Sequence, residues 1–330
     1  MKRLFLMLIT AIACGVGAMA QDSRVATLQH GSNFRAYYGT DAFISAHNDA
    51  SDGDVITLTA GEFNCPDITK ALTIRGEGMN KTILRKKNGG HINIPEGSPY
   101  TFSIEGLKLD FRLAGSGSIV LGIQSTGGSA TAVISKCVLV ANQWTEFKNC
   151  SVAIIDSELR NKTIGQGNSS ISCINCKIGN YNGESLSGST FDVNNCVITG
   201  TANVSNSIIK NSIVYGVTAL DGTNESTHCL VKEGSSGFAD SWYVKTEADP
   251  APDPWTEAPP TPVLWDELFT GNYHLTAEAS QTYIGTDGTE VGIYGGAYPY
   301  DITPDYPLVK NIEVKGIHEN GKLNVKINVE

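Results

Sequence analysis

Four segments decide the fold: ATAVISKCVLV (130–140), CSVAIIDSELR (150–160), SSISCINCKIG (169–179) and STFDVNNCVIT (189–199). Stacked without gaps, they place Ala132, Val152, Ile171 and Phe191 in one column and Ile134, Ile154, Cys173 and Val193 in the next. A polar column follows, Lys136, Asp156, Asn175 and Asn195, then Cys137, Ser157, Cys176 and Cys196, then Leu139, Leu159, Ile178 and Ile198. Successive members of the cysteine column lie 20, 19 and 20 residues apart. Within each unit apolar residues recur at every second position, which is the period of a strand, and nothing recurs at helical spacing. So short a unit has too little surface to bury a core alone and must stack on its neighbours. The predicted architecture is all-β, a parallel β-helix in which each strand pairs with its equivalent one turn away, about 4.8 Å along the axis.

The same columns give the cysteines a bland reading. A small Cys or Ser suits an inward corner. The Asp/Asn column beside it can satisfy turn amides, and aligned asparagines can bond to one another along the stack. Beyond residue 20 the chain has seven cysteines, and an odd number leaves at least one unpaired. Cys173 and Cys176 resemble half a zinc site, but no second pair follows. No metal or other cofactor is expected.

Looser units surround the regular block: ALTIRG (71–76), HINI (91–94), TFSIEGLKLDF (101–111) and SIVLGI (118–123) before it, TANVSNSIIKNSIVYG (201–216) after it. Residues 1–20 begin with Lys2 and Arg3, continue through an apolar run and end in Ala18-Met19-Ala20, the pattern of a secretory signal peptide. The expected location is extracellular or on the outer-membrane surface, with the periplasm as the alternative. Cys14 follows Ala11-Ile12-Ala13, a poor lipoprotein box, so lipid anchorage is the lesser reading. No later segment has the length and apolarity of a transmembrane helix. Residues 21–330 carry 22 basic against 34 acidic side chains, a formal charge of −12, which repels phosphate backbones; nucleic acid is not an expected partner.

The stretch GTDAFISAHNDASDGDVITLTAGEFNCPDITKALTIRGEG (39–78) resembles the opening of the right-handed parallel β-helix superfamily typified by pectate lyases. The resemblance implies a right-handed coil closed by a short amphipathic helix, onto which Ala42, Phe43, Ala46 and His47 map. GNYHLTAEAS (271–280) with GTDGTEVGIYGG (285–296) is similar to the closing region of secreted β-helix proteins of Bacteroides-like bacteria. The β-helix domain is thus expected over 21–300, with a Pro-rich loop near 244–266. A strand extension over 301–330 would hold VKNIEVKG and GKLNVKINVE as a hairpin.

Pectate-lyase relatives bind calcium through outward acids and use an outward Arg or Lys as base. The best match here is Leu107–Arg112: alternation turns Leu107, Leu109 and Phe111 inward and Lys108, Asp110 and Arg112 outward. That is one acid with two cations, short of the acid cluster calcium needs, so Lys108, Asp110 and Arg112 are catalytic candidates only if the protein is a lyase, and calcium enters only then. Glu158 and Lys177 fall at equivalent outward positions and read as an ion pair between coils. No dense acidic group suited to a hydrolase occurs in the repeats. Sugar binding asks for rings beside polar groups. Trp144, Phe147 and Tyr181, in or near turns, and Trp242, Trp255 and Trp265, beside the Pro-rich stretch, are the candidates. The expected function is non-catalytic glycan binding or adhesion by a monomer, its partner a polysaccharide or a host or bacterial surface glycan. The alternative is a polysaccharide lyase or glycoside hydrolase acting on an acidic polysaccharide.

Overall fold

The computed structural model describes residues 23–86, 90–112, 121–125, 130–179, 183–216, 218–247, 263–306, 309–317 and 323–329. The chain forms a right-handed parallel β-solenoid with three strand-bearing faces. The first runs from Val55–Leu58 to Glu225–Thr227, the second from Gly61–Asn64 to Trp242–Val244, and the third from Gly90–Ile94 to Thr201–Val204. The second face is a separate ten-stranded sheet. The other two are joined because Lys162–Ile174 and Glu184–Asn194 bend around one corner without breaking, with a register shift between Gly165 and Ser170.

Register turns the sequence columns into stacks. Ile56, Ile74, Ile104, Ile134, Ile154, Cys173, Val193 and Ile209 pair one above another on the first face, all fully buried. Phe63, Leu84, Leu109, Leu139, Leu159 and Ile178 do the same on the second. Fully burying each such side chain stabilises the coil by about 1.5–3 kcal/mol.

The corner between these two faces explains the polar column. Lys136, Asp156, Asn175, Asn195 and Asn211 all have φ near +50°. That left-handed conformation is least costly for Asn and Asp among residues with a Cβ. The next residue points inward and does two jobs. The Ser157 hydroxyl donates to the Ile155 carbonyl at 2.7 Å and accepts from the Cys137 N–H at 3.1 Å. Cys196 Sγ donates to the Asn194 carbonyl at 3.2 Å and accepts from the Cys176 N–H at 3.3 Å. Ser212 repeats the pattern under Cys196. The column needs a small side chain with one hydrogen to give and a lone pair to offer, which Cys and Ser share. The seven described cysteines are free and buried, and burial pushes the Cys137 and Cys229 thiols up to about 12.

Helix α1 (Ala42–Asp49) closes the first coil, with Ala42, Phe43, Ala46 and His47 buried. The Lys70 ammonium donates to the carbonyls of His47, Asn48 and Ala50, satisfying the helix C-terminus. An antiparallel hairpin, Val25–His30 and Asn33–Tyr38, adds to the first face by pairing with Val55–Leu58. Its alternation was present in VATLQH, but the cap-helix resemblance begins after it. At the other end Val309–Ile317 and Leu323–Val329 form the expected antiparallel hairpin. Among the described residues no helix is long and apolar enough to cross a membrane. Residues 1–20 with Cys14, and the prolines between 248 and 262, lie outside the described residues.

The segment after the Pro-rich stretch covers the second face. Trp265, Leu268, Leu275, Val291 and Ile293 bury the outward Val197, Ile213 and Leu230. Residues 285–306 then run back along the left-handed corner as a strap. Thr286 N donates to Asn211 Oδ1 at 2.8 Å, Asn195 Nδ2 donates to Asp287 Oδ2 at 3.3 Å, and Asn175 Nδ2 donates to the Tyr298 carbonyl. Lys136 Nζ ends the series, donating to the Thr303 carbonyl at 2.6 Å and to Asp305 Oδ1 at 2.5 Å. Asn175 and Asn195 thus extend their side-chain amides to the strap, and Asn175 also lies against the Asp156 carboxyl one coil away in its own column.

Candidate functional site

Two clusters contain the residues singled out from sequence. On the second face, Lys108–Asp110 pairs with Thr82–Arg85 on one side, which sets Arg85 beside Asp110. Asp110 points outward by register but is fully buried, because cations close over it. Arg112 Nε donates to Oδ1 at 2.8 Å and Nη2 to Oδ2 at 2.6 Å, a bidentate pair. Lys108 Nζ lies 3.2 Å and Arg85 Nη2 4.0 Å from Oδ2. Arg85 also pairs with Glu62 at 2.7 Å. Burial opposes ionisation of Asp110, yet the hydrogen bonds from Arg112 and Lys108 hold its carboxyl far below the usual range. A carboxylate so engaged has no lone pair directed to solvent for a cation. The excess positive charge sits on Arg85, Lys108 and Arg112. No group of three or more His, Cys, Asp or Glu suited to a metal ion occurs among the described residues.

The second cluster is on the third face. The strand Trp144–Lys148 turns Thr145 and Phe147 inward and Trp144, Glu146 and Lys148 outward. The Trp144 indole is half-buried and its Nε1 donates to Glu146 Oε2 at 3.3 Å. Gln166 Nε2 donates to the same oxygen at 3.3 Å from the next coil. Lys162, paired with Trp144 by register, forms an ion pair with Glu184, and Asn203 donates to Glu184 at 3.1 Å. The result is an aromatic ring flanked by oriented carboxylates and amides on the outer surface of the coil, the composition that sugar rings and hydroxyls require.

The remaining candidates separate from these clusters. Phe147 was expected in a protruding turn, but it lies in a strand and is a fully buried rung of the core, since ANQWTEFKN alternates through it. Trp265 is fully buried against Tyr215 and Phe269, ring centroids 5.1 and 5.3 Å apart. Trp242 packs edge-on to Tyr283 at 5.5 Å. Trp265 is sealed within the second face, while Trp242 packs against the same cluster and stays partly exposed. Tyr181 and Trp255 lie outside the described residues. Glu158 and Lys177 are register neighbours as expected, but Arg160 makes the shorter contact to Glu158, 2.9 Å against 4.0 Å.

Sequence reasoning missed Arg85, Glu62, Glu146 and Gln166. Arg85 and Asp110 are 25 positions apart in a coil longer than the regular repeat, so no column shows them as neighbours. Glu146 and Gln166 are 20 apart, but the strands pair at an offset of 18, Lys148 opposite Gln166, so their contact is diagonal and no column shows it.

No family model and no curated protein sequence matches the chain. Among solved structures, an arginine-to-alanine mutant of a PL6-family alginate lyase matches with 10% sequence identity and a TM-score of 0.22, over 78% of this chain and 58% of the lyase. The chain therefore spans less than two thirds of that lyase's length. A superposition so loose carries nothing about chemistry, which has to be read from this chain's own side chains.

Proposed function

We propose that this β-helix binds glycan without cleaving it, through the outward surface of its third face. The observation that carries the reading is Trp144, its indole N–H bonded to Glu146, which Gln166 orients in turn, beside the Lys162–Glu184 pair. The C-terminal segment closes the last coils of the second face. The three tryptophans with described side chains leave only Trp144 free of an apolar cluster of buried residues.

A specific observation supports a second reading, a polysaccharide lyase acting on an acidic polymer. Arg85, Lys108 and Arg112 outnumber the two carboxylates they pair with, Asp110 and Glu62. Cations of that kind could neutralise a uronate and make its C5 proton removable, which is the electrostatic part of an elimination.

The two readings separate in one experiment. The chain is applied to immobilised acidic and neutral polysaccharides, with calcium and with chelator, and retention is recorded with reducing ends and unsaturated-product absorbance. On the acidic polymers, retention without products, lost in Trp144→Ala at unchanged circular dichroism, is the expected result. Retention on those polymers that survives Trp144→Ala overturns the third-face site. Unsaturated product that disappears in Lys108→Ala establishes the lyase.

A further inference from the structure

The corner between the third and first faces carries a feature that neither cluster uses. Register places Thr101, Thr131, Ser151, Ser170 and Thr190 in one line, each a coil apart. All five are exposed. Among the described residues none of these hydroxyls has a hydrogen-bond partner, whereas the inward Ser and Thr hydroxyls at the neighbouring corners, Ser157, Ser212 and Thr218, are bonded. Rungs about 4.8 Å apart are too distant to bond one another. Each therefore offers a donor and two lone pairs outward.

Two concavities open on this line. One, of about 390 Å³, is lined by Ser170, Thr190 and Asn206, where the register shift between Gly165 and Ser170 pushes backbone out of the coil. The other, of about 210 Å³, is lined by Thr101, Thr131 and Tyr100. Tyr100 is half exposed and its ring lies over Gly53, where a Cβ would meet it at 2.6 Å. No charged side chain lines either concavity.

We infer that this corner is a second binding groove, for a linear, uncharged, hydroxyl-rich glycan lying along the solenoid axis with Tyr100 as a stacking platform at one end. The inference rests on the glycan-binding reading but on different residues. A rung every coil matches the advance of one sugar ring along an extended chain, so successive rings meet equivalent partners. With no charge in the lining, binding depends on hydrogen bonds and one ring contact, and so is insensitive to salt. The third face, with Glu146, Lys148, Lys162 and Glu184, has the opposite character.

The test is affinity electrophoresis of the full chain in gels containing hydroxyethylcellulose, xylan or mannan, at low and high salt. The variants are Ser170→Lys with Thr190→Lys, Tyr100→Ala, and Trp144→Ala. The expected result is retardation by at least one neutral polymer that is unchanged by salt and by Trp144→Ala. Retardation should be abolished by the lysine pair and weakened several-fold by Tyr100→Ala. If the lysine pair does not fold, Ser170→Ala with Thr190→Val removes the hydroxyls without adding bulk and should abolish it equally. Retardation lost only in Trp144→Ala overturns the groove and leaves the third face standing. Retardation kept in every variant overturns the groove. A wild-type chain that no neutral polymer retards overturns the groove alone, since the third face is also tested on acidic polymers.

Discussion

Asp156 occupies the left-handed column whose other members include Asn175, Asn195 and Asn211. It is buried under the strap, and Oδ1 has no partner among the described residues. Burial raises its carboxyl from the ordinary value to about 6. A folded-state value above the unfolded one means the native state holds the proton more tightly. The resulting stabilisation is complete below the unfolded value near 3.8 and disappears as pH rises through 6. At neutral pH the column carries a charge it does not accommodate. Asp156→Asn should therefore raise stability by about 2 kcal/mol at pH 8 and change it little at pH 4. Urea unfolding at the two pH values checks this, and equal effects at both would refute the assignment. The His47 imidazole has the opposite sense. Burial in the cap helix, with Lys70 nearby, lowers its proton affinity. Its neutral form is the folded one, so the cap loses stability as pH falls below about 6.5. His47→Gln should flatten the acid limb of the stability profile.

At the scale of elements, the C-terminal segment does two physically distinct things. Trp265 fills an apolar seam over Val197, Ile213 and Leu230. Trp265→Ala should cost about 3–5 kcal/mol by leaving a cavity there, read from the unfolding midpoint. The strap beyond it is held by polar anchors, of which Lys136 is almost fully buried while Asp305 is largely exposed. Lys136→Met removes one of these anchors and leaves no buried charge behind. Amide exchange should then accelerate over residues 298–306, while the stacked strands exchange as before. Equal acceleration in both would mean the strap is integral to the core.

At the scale of the whole molecule, one continuous aliphatic and aromatic core runs from Ala26 to Phe238, and the described cysteines are free and buried within it. Reductant should leave the melting temperature unchanged. A native disulfide would instead reveal itself by a loss of about 2–5 kcal/mol on reduction.

The strand period, the register columns and the inward Cys/Ser corner were legible in the sequence because each depends on residues within one coil or at one repeat spacing. The cap helix was expected from the family resemblance of residues 39–78, and Ala42, Phe43, Ala46 and His47 form its buried side. Trp144 lies on the outside of the coil, in a strand rather than in the protruding turn expected for it. The neutralisation of Asp110 by Arg85, the covering of Asn175 and Asn195 by a strap more than 90 residues away, and the burial of Trp265 were decided only by tertiary structure. Each joins segments of irregular spacing, and a periodic pattern carries no information about where an aperiodic segment docks. Which faces of the coil stay open is set by that docking.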